Sequence, residues 1–268
     1  MKIAAIQMVS GTDLQRNLDA AGQLLAQAAA QGAELAVLPE YFCLMGWHDT
    51  DKLTIQEAPG TGVIQDFLSQ SARDLGLWIV GGTVPLSTTQ TDRVRNSTLV
   101  FDPAGHCVAR YDKIHLFRFT HGAESYDESR VLEAGTQAVT FDLPSLDGNT
   151  YRIGLSICYD LRFPELYRQL GADVLLVPSA FTFTTGQAHW EILLRARAIE
   201  NLAYVLACAQ GGAHENTRCT WGHSMVIDPW GHILAQHEEG PAVILAEVQK
   251  EAIQTARARL PALSHRVL

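Results

Sequence analysis

Short apolar runs alternate along the chain with longer segments in which apolar residues recur at helical spacing. Apolar runs of about four to eight residues bounded by turn residues are typical of buried strands, and apolar positions three and four apart are typical of amphipathic helices. The pattern predicts helices at 13–32, 63–77, 163–171, 189–203 and 249–259. It predicts strands at 2–8, 34–40, 77–85, 95–102, 106–113, 151–158, 172–180 and 204–212, followed by a β-hairpin over 224–248.

Both halves of this pattern have the order strand, helix, strand and then hairpin strands, and no linker rich in Ser or Gly separates them. Strands that are apolar on both faces need cover on both faces, which two stacked sheets with helices outside them provide. We therefore predict the α/β class, with residues 1–268 forming a single domain of four layers.

The composition narrows the classes of partner. Apolar residues make up 47% of the chain, the formal net charge is −9, and Lys and Arg are not clustered. This balance argues against binding to nucleic acid or to an anionic membrane, since both require a basic surface. Gln7 interrupts the first apolar run before it reaches the length of a signal peptide, and no run approaches the roughly 18 apolar residues that span a bilayer.

The five cysteines are odd in number and form no CxxC pair. That pattern suits a reducing compartment better than a disulfide framework, so we expect a soluble cytoplasmic protein. The histidines show neither HxH nor HExxH spacing, so we expect no metal site and no cofactor.

Residues with catalytic chemistry stand at the ends of three predicted strands: Glu40, Lys113 and Cys158. A helix begins a few residues after Cys158, and we expect the N–H groups at its start to lower the pKa of the thiol. Glu40 could accept the thiol proton and later return one to a departing amine. Lys113 and the backbone N–H of Tyr159 could hold the oxyanion of a tetrahedral adduct.

Each of these residues also has an ordinary structural interpretation. Cys158 could be a packed small apolar residue, Glu40 a solvated carboxylate, and Lys113 half of a surface ion pair with Asp112. The three residues are more than forty positions apart, so only the fold could bring them together. A papain-like Cys–His pair is a further alternative, although the local sequence typical of those proteases is absent around Cys158.

Three segments carry a family resemblance: LPEYF at 38–42, YDKIHLF at 111–117 and GLSICYDLRFPELYR at 154–168. They resemble, in order and approximate separation, the signature blocks of the nitrilase, or carbon–nitrogen hydrolase, superfamily. The resemblance runs from residue 2 to about residue 266. It implies an α-β-β-α sandwich in which Glu40 is the general base, Lys113 stabilises the tetrahedral intermediate and Cys158 is the nucleophile. Glu128, in SYDESRVLEAG, matches the second glutamate with which the family positions substrate.

Two further segments, 178–201 and 221–231, are similar to the branch that contains the deaminated-glutathione amidases and the ω-amidases. The stretch AQGGAHENTRCTWGHS at 209–224 resembles the first of these groups more closely. The resemblance implies a metabolite-repair amidase that cleaves a small linear amide to an acid and ammonia through a thioester. An ω-amidase acting on 2-oxoglutaramate is the alternative within the branch, and a non-catalytic scaffold that keeps the fold is the alternative outside it.

The resemblance also implies a homodimer formed through outer helices. The loop 118–127 departs from the branch, which often has an acidic residue and Pro-Gly after HLF. Because this loop runs between Lys113 and Glu128, we expect it to border the pocket and to influence substrate choice. Phe181 and Thr182 follow a strand that we expect beside the Cys158 strand, so they are candidates for the pocket lining. Asp160 and Arg162 are expected to pair and fix the turn at the nucleophile.

Overall fold

The computed structural model describes residues 1–122 and 124–267; Ala123, inside the loop 118–127, and Leu268, the end of the predicted domain, lie outside the described residues. Helices α1 to α5 are Leu14–Ala30, Val63–Leu75, Pro164–Leu170, Phe183–Asn201 and Lys250–Arg259. Short 3-10 helices occupy Asp49–Leu53, Glu128–Arg130, Cys158–Arg162 and Ala262–His265.

Strands β1 to β17 are, in chain order, Lys2–Gln7, Leu35–Val37, Trp78–Val80, Val84–Ser87, Val94–Phe101, Cys107–Asp112, Arg118–His121, Glu124–Asp127, Thr140–Pro144, Thr150–Leu155, Val174–Ser179, Tyr204–Ala209, Gly211–Ala213, Cys219–Trp221, Ser224–Ile227, Ile233–His237 and Ala242–Glu247. Two larger sheets contain most of them. One has the order β17-β1-β2-β3-β5-β4, with β6 also paired to β5, and the other has the order β16-β15-β12-β11-β10-β9.

Successive side chains of β1 are buried in two different apolar clusters, which shows how the layers form. Ile3 and Ala5 are buried in an apolar cluster that includes residues of β10, β11 and β12, whereas Ala4 and Ile6 are buried with α1 and α2. Successive side chains of a strand point to opposite faces, so β1 contributes to the core between the sheets and to the core beneath the helices. Helices α3 and α4 pack on the other sheet. The expected α-β-β-α sandwich is therefore confirmed.

Each of the two larger sheets contains three neighbouring parallel strands, whose carboxyl ends lie at one edge of the sheet. Strands β1, β2 and β3 run parallel in one sheet, and β10, β11 and β12 run parallel in the other. The residues just after β2, β10 and β11 therefore lie at the carboxyl ends of parallel strands, where α/β proteins commonly bind ligands.

Several elements differ from the sequence predictions, and strands β9 and β14 were not predicted. The strand predicted at 77–85 is split into β3 and β4, because Gly82 has φ +48° and bends the chain. Helix α4 begins at Phe183 instead of residue 189, since the Thr182 side chain caps its N-terminus. The hairpin predicted over 224–248 forms between β15 and β16, but β17 pairs with β1 in the other sheet. The hairpin of β7 and β8 was not predicted.

Asp13 caps α1 as predicted, since its side chain accepts a hydrogen bond from the N–H of Arg16. In the part of the chain that the structure describes, no helix has both the length and the apolar character that a membrane crossing requires.

Candidate active site

Glu40 lies in the turn after β2, with its side chain 1% exposed. Its carboxylate accepts a hydrogen bond from Asn96 Nδ2 at 2.9 Å and one from the Ala180 N–H at 2.9 Å. It also accepts one from Lys113 Nζ at 2.9 Å, and it interacts electrostatically with the thiol of Cys158, which lines the same pocket. These contacts come from both sheets, so the fold holds the carboxylate in a single orientation.

Lys113 follows β6, and its ammonium is 1% exposed. It lies between two carboxylates, 2.9 Å from Glu40 Oε1 and 2.8 Å from Glu128 Oε2. Glu128 is itself held by the hydroxyl of Tyr41, which donates to Oε1 at 2.9 Å, and by the N–H of Phe117, which donates to Oε2 at 2.6 Å. Burying one cation against two anions is costly unless every partner is hydrogen-bonded, and here each one is.

Cys158 follows β10 and opens a 3-10 helix, with φ +49° and 8% of its surface exposed. A positive φ is uncommon for a residue with a Cβ, and it is held here by its surroundings. Asp160, which is fully buried, accepts hydrogen bonds from the Ile157 N–H, the Tyr111 hydroxyl and both the N–H and Nδ1 of His115. These four contacts fix the turn that presents the thiol.

The expected Asp160–Arg162 pair is wrong. The carboxylate of Asp160 is bound by the groups just described, whereas the Arg162 guanidinium lies over the rings of Tyr159 and Phe181, at 5.8 Å and 5.4 Å. The short 3-10 turn directs the Asp160 side chain back toward β6 and the segment after it, away from Arg162. The expected role of Asp160 in fixing the turn stands, with different partners.

The electrostatics of the cluster reverse one expectation. Burial and the negative charge of Glu40 raise the pKa of the Cys158 thiol well above its ordinary value, whereas the sequence led us to expect a lowered pKa. The reason is that the thiol is buried and lies beside two carboxylates and only one ammonium, and together these effects outweigh the N–H groups of a short 3-10 helix. The resting nucleophile is therefore a neutral thiol that needs a base.

Glu40 has the properties of that base. Burial raises the pKa of its carboxyl, an effect that Lys113 partly offsets and Glu128 reinforces. Burial alone would lower the pKa of the Lys113 ammonium, but the carboxylates of Glu128 and Glu40 raise it well above its ordinary value. Lys113 therefore stays charged while Glu40 can exchange a proton.

A pocket opens onto this cluster, lined by Glu40, Glu128 and Cys158. Tyr159, Phe181 and Thr182 also line it. The fold therefore brings together all seven residues singled out in the sequence, because Lys113 contacts both glutamates. The hairpin of β7 and β8 contributes Tyr126 and Asp127 to the lining, so the loop 118–127 borders the pocket.

Sequence reasoning missed several residues of the site. Asn96 donates to Glu40 and accepts the Lys113 N–H through its own carbonyl at 3.0 Å, so it holds two catalytic candidates at once. The run of four polar residues in β5, Arg95 to Thr98, could have marked this stretch of the strand, but not Asn96 in particular. Tyr41, which binds Glu128, and the charged pair Lys52 and Arg218, which line the pocket, have no comparable signal in the sequence.

The histidines are not placed as a catalytic base or as metal ligands. His115 contacts Asp160 and stacks on Phe163 at 3.6 Å between ring centroids. Within residues 1–122 and 124–267, no group of three or more His, Cys, Asp or Glu side chains is arranged to hold a metal ion.

Known proteins resemble this chain in sequence and in fold. Residues 2–258 match the carbon–nitrogen hydrolase family. The deaminated glutathione amidase of Synechocystis sp. is 43% identical over 98% of this chain and 97% of its own length. The crystal structure of the NitFhit protein of Caenorhabditis elegans superposes with a TM-score of 0.87 at 38% identity, covering 99% of this chain and 65% of that one.

An amidase from Nesterenkonia sp. extends the comparison to the nucleophile. Its Glu-to-Gln variant superposes with a TM-score of 0.78 at 27% identity, over 97% of this chain and 98% of that one. That structure contains the product of Michael addition of acrylamide at the active-site cysteine. Sequence and fold together show that this chain belongs to the carbon–nitrogen hydrolase family, whose members cleave carbon–nitrogen bonds other than peptide bonds.

Proposed function

We propose that this protein hydrolyses a small linear amide through a thioester on Cys158, with Glu40 as general base and acid, Lys113 as oxyanion donor and Glu128 as the residue that positions Lys113. The observation that carries the proposal is the buried cluster in which Lys113 bridges Glu40 and Glu128, with Cys158 beside the two glutamates in the wall of one pocket. Thiol, carboxylate and ammonium together supply nucleophile, base, acid and oxyanion donor.

In the first half-reaction Glu40 accepts the thiol proton as Cys158 sulfur attacks the amide carbon. The C=O bond electrons move to oxygen, and Lys113 and the N–H of Tyr159 hold the resulting oxyanion. Glu40 then gives its proton to the nitrogen, the C–N bond breaks, and an acyl thioester remains on Cys158. The raised pKa of Lys113 keeps this donor charged throughout.

In the second half-reaction a water molecule loses a proton to Glu40 and attacks the thioester carbon. The C–S bond breaks, Cys158 recovers its proton, and the carboxylic acid leaves. A primary amide releases ammonia, whereas an N-substituted amide releases the corresponding amine. The sum of both halves is amide plus water giving acid plus ammonia or amine, which requires no oxidant, metal or cofactor.

Deaminated glutathione, the 2-oxo analogue of glutathione, is the substrate that we propose. The support is the relative from Synechocystis sp., which carries the name of that activity and aligns over nearly the whole of both chains. In this substrate the cleaved amide joins a 2-oxoglutaryl group to the dipeptide Cys-Gly, so the dipeptide amine is the leaving group.

The test measures acid and amine release from deaminated glutathione, 2-oxoglutaramate, simple aliphatic amides and a nitrile. We expect turnover of deaminated glutathione, its loss in Cys158→Ala, and full retention in Cys107→Ala, which removes an exposed thiol on β6. Glu40→Gln should lower kcat by at least about a thousandfold. Failure of every amide to react would refute the amidase assignment, and a mild effect of Glu40→Gln would favour a histidine base.

We also propose that the protein is a homodimer in the cytoplasm. Apolar side chains exposed on α4 and on the β15–β16 turn support the dimer: Ile192 is 71% exposed, Trp230 53% and Ile199 46%. Sedimentation of the wild-type protein and of Ile192→Asp tests it, with a dimer expected for the first and dissociation for the second. The five cysteines, all present as free thiols, support a reducing compartment.

A further inference from the structure

A cluster of three charged side chains forms part of the pocket wall: Asp49, Lys52 and Arg218. Nη2 of Arg218 lies 2.8 Å from Oδ1 of Asp49, and Nζ of Lys52 lies 3.8 Å from the same oxygen. The catalytic steps described above use none of the three. They come from distant parts of the chain, the 3-10 helix Asp49–Leu53 and the segment before β14, so the fold assembles this cluster.

The cluster has more positive than negative charge. Two cations share the single carboxylate of Asp49. Asp127, which also lines the pocket, pairs with two other cations: its Oδ2 lies 4.0 Å from Nε of Arg118 and 3.8 Å from Nε of Arg130. Burial lowers the pKa of the Lys52 ammonium, an effect that the carboxylates of Asp49, Glu128 and Glu40 oppose and to which the guanidinium of Arg218 adds. A second anion at this wall would therefore be stabilised by both cations.

Aromatic rings hold both cations in place. The Arg218 guanidinium lies over the ring of Tyr126 at 5.6 Å, and the Lys52 ammonium lies over the ring of Tyr41 at 5.0 Å. Among the described residues, the only hydrogen bond from the guanidinium of Arg218 is the one to Asp49, so its remaining N–H groups are available to a ligand. Guanidinium forks match the geometry of a carboxylate, which makes a second carboxylate the ligand that fits best.

We propose that Lys52 and Arg218 form a subsite that binds a carboxylate of the substrate, with Asp49 holding the two cations when the pocket is empty. This inference rests on the proposed function, because it assumes that the pocket takes an amide. It defines the substrate class more narrowly: an amide with a free carboxylate at a distance from the bond that is cleaved. The carboxylate could belong to the acyl half or to the leaving amine, and the two sources are separable by experiment.

The kinetic test compares pairs of substrates that differ in one charge. For the acyl half the pair is 2-oxoglutaramate and the uncharged 4-oxopentanamide, which keeps the keto group; for the leaving amine it is deaminated glutathione and its C-terminal amide. In Arg218→Gln we expect the ratio of kcat/KM for the charged over the uncharged member to fall by about 10- to 100-fold in one of the pairs. Arg218→Lys, which keeps the charge but loses the fork, should lose less.

The matched control is Arg73→Gln, which removes an exposed guanidinium of α2 that contacts Gln70. It should leave both ratios at their wild-type values. The pair whose ratio falls identifies which half of the substrate carries the recognised carboxylate. Unchanged ratios in both pairs for Arg218→Gln and for Lys52→Met would overturn the proposal.

A binding measurement keeps this test independent of turnover. We expect calorimetric titration of deaminated glutathione, which carries a carboxylate on both halves, into Cys158→Ala protein to show binding that Arg218→Gln weakens about tenfold or more. Asp49→Asn should have the opposite effect and tighten binding, because it removes the carboxylate that competes with the ligand. If Asp49→Asn weakened binding as much as Arg218→Gln does, the cluster would be structural and the subsite would be refuted. Absence of turnover with the expected binding changes would instead reject the proposed reaction alone.

Discussion

Replacing Glu128 by Gln removes one of the two carboxylates that flank Lys113 and preserves the size of the side chain. Both oxygens of Glu128 act as acceptors, Oε1 from the Tyr41 hydroxyl and Oε2 from the Phe117 N–H, and Lys113 contacts both. An amide has only one acceptor oxygen. In either orientation of the Gln side chain, one of these donors therefore faces an N–H group.

Leaving a buried donor without an acceptor costs about 1–3 kcal/mol. Because Glu128 acts by holding Lys113, we expect this cost to appear as a loss of about 10- to 100-fold in kcat/KM. The substitution also has a signature in the pH profile. The negative charge of Glu128 raises the pKa of Glu40, so its removal should lower that pKa.

Glu40 acts as a base only when it is ionised, so activity is lost as the pH falls through its pKa. In Glu128→Gln we expect the acid limb of the kcat/KM profile to move to lower pH. The assay is amide hydrolysis followed across pH for wild type and variant. Glu124→Gln, in strand β8 just before Glu128 and hydrogen-bonded to the Thr184 hydroxyl, is the matched control and should change neither the rate nor the position of the acid limb. An unmoved acid limb together with a wild-type rate would refute the electrostatic coupling of Glu128 to Glu40.

Two further substitutions test how the site is positioned. A Cβ at Gly82 would lie 2.1 Å from the Pro39 carbonyl oxygen, next to Glu40. Gly82→Ala should therefore lower the free energy of unfolding by about 2 kcal/mol or more, measured by thermal melting, and reduce kcat in the hydrolysis assay. Asp160→Asn leaves at least one of the four donors to Asp160 unpaired, so we expect the free energy of unfolding to fall by about 1–3 kcal/mol and kcat to fall as well. An unchanged kcat would show that Asp160 does not position Cys158 for reaction.

Much of the sandwich was accessible from apolar periodicity, because α1, α2 and the parallel strands are regular and buried. The errors arose where tertiary contacts outweigh local pattern. Strand β17 follows the β15–β16 hairpin in sequence but pairs with β1, and this pairing depends on contacts with the first sheet that the local sequence does not reveal. Helix α4 begins early because Thr182 caps it over a stretch whose apolar pattern is weak.

Some residues of the candidate site could be predicted from local sequence, and others could not. Glu40, Lys113, Glu128 and Cys158 were identified through signature blocks that each surround one residue. Asn96 could not be found in this way, because its role comes from lying across the sheet from Lys113. The pKa of Cys158 was mispredicted for a related reason: local sequence suggested a helix N-terminus, while burial in the folded chain and carboxylates distant in sequence raise the pKa of the thiol.

The central claim is that Cys158 carries the acyl group between the two half-reactions. Hydroxylamine tests it directly, since it intercepts a thioester and yields the acyl hydroxamate in place of the acid. We predict that hydroxamate forms from glutaramate, an analogue without the keto group that hydroxylamine converts to an oxime, in proportion to hydroxylamine concentration at the expense of glutarate, and that none forms in Cys158→Ala. Release of the acid with no hydroxamate at any hydroxylamine concentration, or equal hydroxamate formation in Cys158→Ala, would contradict it.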